Sequence, residues 1–438
     1  MSTAVEAPPI EISEGKVFRG GLVVGAGLLA GQALGFIRQA TIAYLLGTGP
    51  QADAVAVAFA PVDLWWAVLA AAMVFGFGPM LAASGPERPP EGFAKLGRLV
   101  VVVALAATAV SLVFARPIVM VLAPGLDPET AGAAARLLRV TALGMPAVAW
   151  STLFTAVFYS QRRFLFPALQ QAVVNCCTIV TALALASQHS ALGFAAGYAA
   201  GAWLQLGLAY WIARRQRPPR SEPAPLTRLL AGPAHVLAYS ALVGLNPIVT
   251  RALASTLGPG STAAFDYCLK LVGVPLGLLV MPLSSSLLSE IAPFRLRSDR
   301  RAAFQAIGRA AVLTGLAATV IVLLMEALGP WVVGVLFERG RFGAASTSTV
   351  TPVLAGFFPV LAAWSVLDVL SRSLFSLGRP RRPIGAAALA LVTNLLISGL
   401  VPVRSPHWIG LGAVVGFLAG ASLVGLAFLP QRDRRGAP

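Results

Sequence analysis

The sequence is poor in charged residues, in histidine and in cysteine, and each shortage excludes a class of protein. Only 11% of the 438 residues are charged and the mean hydropathy is +0.79, whereas a soluble domain carries about a quarter charged residues. The three cysteines, of which Cys176 and Cys177 are adjacent, give neither a disulfide framework nor a metal-binding spacing. There are three histidines and no carboxylate pair at catalytic spacing, so no hydrolase or transferase site is predicted and the chain is not expected to be an enzyme.

Long apolar segments are what the sequence has in abundance. Each is about 20 residues or more, which is long enough to cross a bilayer as a helix, so the fold class is an all-α membrane protein. The net charge of +16 does not indicate nucleic-acid binding, because the charges cluster in the short loops between these segments. We predict about twelve spans, at residues 18–46, 52–84, 99–123, 137–160, 165–187, 190–213, 229–256, 262–292, 304–328, 347–376, 384–402 and 408–429.

Arginine is concentrated in alternate loops, which predicts the orientation. The densest groups are Arg214, Arg215, Arg217 and Arg220, and then Arg295, Arg297, Arg300 and Arg301. Because cytoplasmic loops carry the excess of Lys and Arg, this pattern predicts that both termini are cytoplasmic. We expect tails at residues 1–16 and 431–438, six-helix bundles at 17–213 and 229–430, and a cytoplasmic linker at 214–228.

The two halves of the chain repeat each other. Leu192-Gly193 opens a run that continues with Gly197 and Gly201, and Leu411-Gly412 opens the same run with Gly416 and Gly420. A Leu-Gly-x-Gly loop also joins the first two spans of each half, at 46–49 and 257–260. Six spans is an even number, so the copies run in the same direction and form two parallel bundles, an arrangement typical of transporters. The glycines in these runs are predicted to allow close helix packing.

Among the basic residues inside predicted spans, three are the most informative, because a charge there costs roughly 2.5–3.5 kcal/mol on insertion scales and needs a polar cavity or a partner. Arg38 lies in the first span, Arg251 in the seventh and Lys270 in the eighth, so all three are on the first two spans of a half. We interpret them as a cationic cavity for an anionic headgroup such as a diphosphate. The alternative is that Arg38 and Arg251 extend to the membrane interface.

Acidic residues inside the spans are candidates for counter-charges. Asp53 follows a Gly-Thr-Gly-Pro turn and is expected to cap its own helix, and both Asp53 and Asp63 are candidates for a cavity counter-charge or a gate. Asp368 and Arg372 are four residues apart in the tenth span, the spacing of an intrahelical ion pair. Thr393-Asn394 is a weak polar candidate for a coupling-ion site.

These residues resemble a known family. Leu34-Gly35-Phe36-x-Arg38 followed by Gly47-x-Gly49-x-x-x-Asp53-Ala54 is similar to the opening of the MurJ-type lipid II flippases. Tyr267-x-x-Lys270-Leu271-x-x-x-Pro275 and Leu336-Phe337-x-x-Gly340-x-Phe342 resemble later segments of that family. The family belongs to the multidrug/oligosaccharidyl-lipid/polysaccharide (MOP) exporter superfamily, which also contains the MATE transporters. Arg38 matches a cavity arginine of the family, and Gln32 stands where the family has a second one in its first helix. Lys270 stands where the family usually has arginine.

The resemblance implies a flippase of the bacterial inner membrane that moves a lipid-linked glycan precursor by alternating access. The implied substrate is a lipid-linked oligosaccharide or muropeptide on undecaprenyl pyrophosphate, and the implied partners are membrane lipids and cell-wall synthesis proteins. No cofactor or metal is expected, and because no ATP site is visible, the expected energy source is the membrane potential or a Na⁺ or H⁺ gradient. Two alternatives stay open, which are a multidrug or small-molecule exporter of the same superfamily and a non-transporting cell-wall scaffold.

Overall fold

The protein is described by a computed structural model over residues 14–71, 93–161, 163, 165–187, 190–214, 233–277, 300–377, 379, 381–400 and 405–426. These residues form α-helices and one short 3-10 turn at Pro406–Trp408, and they contain no β-strand. The predicted tail 431–438 and, apart from Arg214, the predicted linker 214–228 lie outside these ranges. The first helix begins at Glu14, inside the predicted N-terminal tail.

The helices fall into two lobes that correspond to the two halves of the chain. Those of the N-terminal lobe are α1 (Glu14–Leu46), α2 (Pro50–Ala71), α3 (Phe93–Val113), α4 (Ala115–Leu122), α5 (Pro128–Ala142), α6 (Met145–Ser160), α7 (Leu165–Ala184) and α8 (Ser190–Ala213). Those of the C-terminal lobe are α9 (Pro233–Ser255), α10 (Ser261–Pro275), α11 (Arg300–Phe337), α12 (Ala344–Phe357), α13 (Val360–Ser376), α14 (Arg381–Leu400) and α15 (Leu411–Leu426).

Both lobes are built by the same helix pairing. In the N-terminal lobe α1 packs on α7, α2 on α5, α3 on α6, and α8 on both α6 and α7. In the C-terminal lobe α9 packs on α14, α10 on α12, α11 on α13, and α15 on both α13 and α14. The second set is the first set repeated in the same chain order, so the predicted pair of parallel bundles is confirmed.

The repeated glycine run has the packing role that the sequence predicts. A Cβ on Gly197 would lie 2.7 Å from Thr178 Cα on α7, and one on Gly420 would lie 2.6 Å from the Ala386 carbonyl oxygen on α14. Both distances are far shorter than real Cβ contacts. Only glycine therefore lets α8 and α15 approach their neighbours this closely.

In the described part of the chain, eight helices are long and apolar enough to cross a membrane, or nine if the bent pair α3–α4 counts as one span. The bend between α3 and α4 is 86°, so the third predicted span, 99–123, is not one straight helix. Pro117 contributes to the break, because a proline ring clashes with the carbonyl four residues earlier, here that of Val113. Arg139 on α5 donates a 3.0 Å hydrogen bond to the Leu112 carbonyl beside the bend.

Several predicted ends are displaced from the structural ones. The predicted fourth span begins at 137 and the ninth ends at 328, whereas α5 begins at Pro128 and α11 runs to Phe337. The predicted fourth and tenth spans each consist of two helices, α5–α6 and α12–α13, with a short break at the same place in both lobes. The C-terminal parts of the second and eighth predicted spans, 72–84 and 278–292, lie outside the described residues.

Candidate functional site

A small cavity lies between the lobes, where α1, α2 and α10 meet. Four charged side chains line it, Arg38 from α1, Asp63 from α2, and Asp266 and Lys270 from α10. Gln39, Phe59 and Tyr267 complete its polar and aromatic wall. Its volume is only about 10 Å³, which is about the minimum that holds a single water molecule. This cavity brings together two of the three predicted basic residues and one of the two predicted counter-charges.

Arg38 is the buried cation of this cavity. Its side chain is 7% exposed, and its Nε atom is buried without a hydrogen-bond partner among the described residues. The guanidinium carbon lies 5.2 Å from the centre of the Phe59 ring, a cation–π distance that fixes the group's position without neutralising its charge. A buried guanidinium with an unused donor is a ready partner for an anion.

Arg251 is placed differently from the other two basic residues. It is 3% exposed and does not line the cavity. Its Nη2 and Nε atoms lie 2.5 and 3.2 Å from Oδ1 of Asp266, so the ion pair joins α9 to α10. The structure therefore does not bring Arg251 into the cavity wall with Arg38 and Lys270. The charge of Arg251 is instead paired with Asp266.

Asp266 is the site residue that sequence reasoning missed. It contacts Arg251 through its carboxylate and also lines the cavity. A signal for it existed, since Asp266 lies four residues before Lys270 and therefore on the same face of a helix. Its spacing of fifteen residues from Arg251, across the loop 256–260 between two helices, carries no such signal.

Asp53 caps a helix, although not the helix that contains it. It is 1% exposed, lies in the first turn of α2, and does not line the cavity. Its carboxylate accepts hydrogen bonds from the backbone N–H of Gly260 at 2.6 Å and of Ala263 at 2.7 Å, at the start of α10 in the other lobe. The N-cap of α10 is Gly260 itself, with φ of +85°, which has no side chain to serve as a cap. The expectation that Asp53 caps its own helix is therefore wrong.

The two repeated Leu-Gly-x-Gly loops meet at this end of the molecule, which we call the hairpin end and define by loops 47–49, 123–127, 256–260 and 338–343. Tyr267 donates a 2.7 Å hydrogen bond to the Gly47 carbonyl, and Thr48 donates one of 2.8 Å to Ser346. The Arg341 N–H donates to the Tyr44 carbonyl at 2.9 Å. Together with Asp53, these polar contacts fasten the two lobes to each other at the hairpin end.

The predicted pair of Asp368 and Arg372 is present on α13. Arg372 Nε lies 2.6 Å from Asp368 Oδ2, and both side chains are largely buried. Neither residue lines the cavity between the lobes. Asn394, the polar candidate on α14, donates a 3.1 Å hydrogen bond to Asn246 on α9. Within the described residues, no cluster of His, Cys, Asp and Glu could hold a metal ion.

The paired lobes, the spanning helices and the charged cavity between the lobes define a multi-pass membrane protein with the fold of the MOP transporters. A solved lipid II flippase MurJ, in an inward closed conformation, superposes with a TM-score of 0.79 at 18% identity over 93% of this chain and 87% of that structure. An inward-facing multidrug resistance MATE transporter of the MOP superfamily gives a TM-score of 0.76 at 14% identity, over 91% of this chain and 93% of that structure.

Sequence comparison identifies the family within this fold. The family model for lipid II flippase MurJ matches residues 42–435, so the chain belongs to that family. A probable lipid II flippase MurJ of Rhizobium tropici is 27% identical over 92% of this chain and 79% of its own length. One of Aquifex aeolicus is 22% identical over 88% of this chain and 77% of its own length.

Proposed function

We propose that this protein moves a lipid-linked glycan precursor, carried on a diphosphate, from the cytoplasmic to the outer leaflet of a bacterial inner membrane. One observation carries the proposal. Arg38 is buried in an inter-lobe cavity, has an unused donor, and shares the cavity wall with Lys270. Two cations on different lobes can bind one diphosphate between them, with the bidentate fork of arginine on one side and the ammonium of lysine on the other.

The small size of the described cavity supports transport by alternating access. A space of about 10 Å³ cannot hold a diphosphate sugar, so we propose that the lobes separate to admit the headgroup. The contacts of Asp53, Tyr267 and Thr48 close the hairpin end. In the orientation that the arginine-rich loops predict, this end faces outside, so the headgroup enters from the cytoplasm and leaves when these contacts break.

Movement of a charged headgroup needs an energy source. We propose the membrane potential or a Na⁺ or H⁺ gradient as that source. When the substrate crosses the membrane, the potential contributes about 2.3 kcal/mol per 100 mV for each elementary charge that the substrate carries. Asp63 and Asp266 line the cavity beside the basic residues, so an arriving anion meets two carboxylates as well as two cations. The net charge of the occupied cavity therefore depends on the two carboxylates as well as on the two cations.

Export of a cationic drug is the second candidate from the same superfamily, and the observation that favours it is the pair of cavity acids. Asp266 is already neutralised by Arg251, which leaves Asp63 opposite Arg38 and Lys270 in the cavity wall. A site in which basic residues outnumber the available carboxylates favours an anion. A scaffold that recruits cell-wall synthesis proteins would not need the cavity charges at all.

The test is a depletion-and-rescue assay for precursor translocation, together with binding of undecaprenyl diphosphate to the purified protein by native mass spectrometry. Arg38→Gln and Lys270→Gln are each expected to lose translocation and to weaken binding at least about tenfold, because each removes one charged contact. Arg309→Gln, an exposed arginine on α11 far from the cavity wall, is the matched control.

Each result separates the candidates. Full rescue by both cavity variants at normal protein levels would refute the proposed anion site and would favour the scaffold, which does not need the cavity charges. Loss of translocation together with stronger binding of a cationic drug by Lys270→Gln would favour the exporter. Arg38→Lys keeps the charge but loses the bidentate hydrogen bonding of the guanidinium, so we expect it to retain part of the binding that Arg38→Gln loses.

A further inference from the structure

The bend between α3 and α4 is the place where the two lobes differ most. In the C-terminal lobe the equivalent of α3 and α4 is α11, which continues unbroken from Arg300 to Phe337. In the N-terminal lobe the chain turns by 86° after Val113, and α4 lies across the direction of α3. With 21 residues, α3 is long enough to cross the bilayer by itself, and a helix at nearly a right angle to it would then lie close to the plane of the membrane.

The helix α4 has one face on protein and one face that no described residue covers. Ala115, Val119 and Leu122 are buried against the lobe. On the other side Val113 is 69% exposed, Phe114 53%, Met120 53% and Val121 76%. These apolar side chains continue directly from the membrane-spanning surface of α3, so lipid chains are the surroundings that fit them.

Three arginines border this apolar face. Arg116 is exposed on α4 itself, and Arg136 and Arg139 are exposed one turn apart on α5, which packs on α4. The 3.0 Å hydrogen bond from Arg139 to the Leu112 carbonyl fixes that guanidinium at the bend. Among the described residues none of these three arginines forms an ion pair, and Asp127 and Glu129 lie at the N-terminal end of α5, where Asp127 caps the helix.

We propose that the α3–α4 bend is a binding site for an anionic phospholipid of the leaflet at the hairpin end. The acyl chains would pack on Val113, Phe114 and Val121, and the headgroup phosphate would accept hydrogen bonds from Arg116 and Arg136. Charge complementarity selects an anionic over a zwitterionic headgroup, because three cations stand here and none of them is paired with a carboxylate of the described part of the chain. A guanidinium is also the group that pairs best with a phosphate.

The position of α4 connects this lipid to the hairpin end, where the two lobes are joined. Beyond α4 the chain reaches Gly125, whose N–H donates a 3.0 Å hydrogen bond to Ser255 Oγ at the end of α9. A Cβ on Gly125 would collide with the Ser255 backbone. A lipid that holds α4 in the membrane plane therefore holds one of the segments that join the two lobes.

The test uses the full-length protein in nanodiscs that contain equal amounts of phosphatidylcholine and phosphatidylglycerol, with the photo-crosslinker p-benzoylphenylalanine in place of Val121. Mass spectrometry then counts the adducts with each lipid. We expect the phosphatidylglycerol adduct to exceed the phosphatidylcholine adduct about fivefold, the factor that a single favourable arginine–lipid contact supplies. Arg116→Gln with Arg136→Gln should return the ratio to that of the mixture. Arg139 is left unchanged because it contacts the bend.

Two controls make the outcome decisive. Arg339→Gln removes an exposed arginine at the hairpin end of the other lobe and should leave the ratio unchanged. The crosslinker in place of Leu316, which is 59% exposed on α11, reports ordinary lipid contact. Equal adducts with both lipids at position 121, or no lipid adduct there while position 316 gives one, would overturn the proposal. This site stands or fails independently of the transported substrate.

Discussion

Asp53 of the N-terminal lobe accepts a 2.6 Å hydrogen bond from the backbone N–H of Gly260, the N-cap residue of α10 in the C-terminal lobe. A carboxylate at a helix N-terminus is favoured both by the hydrogen bond and by the helix dipole. This contact therefore adds stability only while the lobes are together, and it is lost when they separate. Such an interaction changes the balance between conformations more than it changes the stability of either lobe.

The first prediction follows from this contact. Asp53→Asn removes the charge and weakens the cap by about 1 kcal/mol, so the population with an open hairpin end should rise about fivefold. Distances between spin labels at Gln51 and Pro259, which are both exposed, measure that population in a chain whose three cysteines are replaced. Asp127→Asn is the matched control, because Asp127 caps α5 within its own lobe. An equal shift in both variants would contradict a role specific to the lobe interface.

The second prediction concerns the buried ion pair of Arg251 and Asp266. Arg251→Gln leaves the largely buried Asp266 without its counter-charge, and loss of one partner of a buried pair typically costs about 3–5 kcal/mol. The double variant Arg251→Gln with Asp266→Asn should recover most of that loss, because no unpaired charge remains. Thermal unfolding in detergent measures both. A double variant as unstable as the sum of the single variants would show that the two residues do not interact.

The third prediction concerns Lys270. Replacing it with arginine keeps the charge and adds a second parallel donor, so Lys270→Arg should bind undecaprenyl diphosphate at least as tightly as the parent. Lys270→Gln, of similar length and without charge, should bind more weakly. Native mass spectrometry of the same three proteins measures the affinities. Weaker binding by the arginine variant would indicate that the cavity has no room for the larger group.

The fourth prediction concerns the repeated glycines. A Cβ on Gly416 would collide with the Ala390 carbonyl on α14, whereas one on Gly425 would meet nothing within 4 Å. Gly416→Ala should therefore destabilise the protein by about 1–3 kcal/mol, and Gly425→Ala should not destabilise it. The midpoints of thermal unfolding of the two variants make the comparison, and equal midpoints would refute the close-packing role.

The sequence predicts the architecture well because the repeat is visible at the level of single residues. Gly193, Gly197 and Gly201 recur as Gly412, Gly416 and Gly420, and each run packs its helix on the preceding one in its lobe. A helical spacing also predicts the ion pair of Asp368 and Arg372, because both partners lie on one helix face.

Features that depend on contacts between distant segments were not predictable in the same way. The partner of Arg251 is Asp266 on the next helix, and only the packing of α9 on α10 makes the pair. The bend at Phe114 was also missed, and proline alone does not predict it. Pro117 accompanies a break of 86°, whereas α11 continues through Pro330. The two sites differ in their surroundings, since Arg139 donates a hydrogen bond to the Leu112 carbonyl beside the bend.

The glycine at the start of α10 has a consequence for the biogenesis of the protein. The N-terminal lobe leaves the ribosome first, so Asp53 is already in the membrane before Gly260 is synthesised. The first turn of α10 brings no cap of its own, and its exposed N–H groups are satisfied by Asp53 only after the second lobe has docked on the first. The first turn of the helix that carries Lys270 thus reaches its final hydrogen bonding only when the two lobes join, and in a chain whose lobes fail to join its N–H groups lack the partner that Asp53 provides.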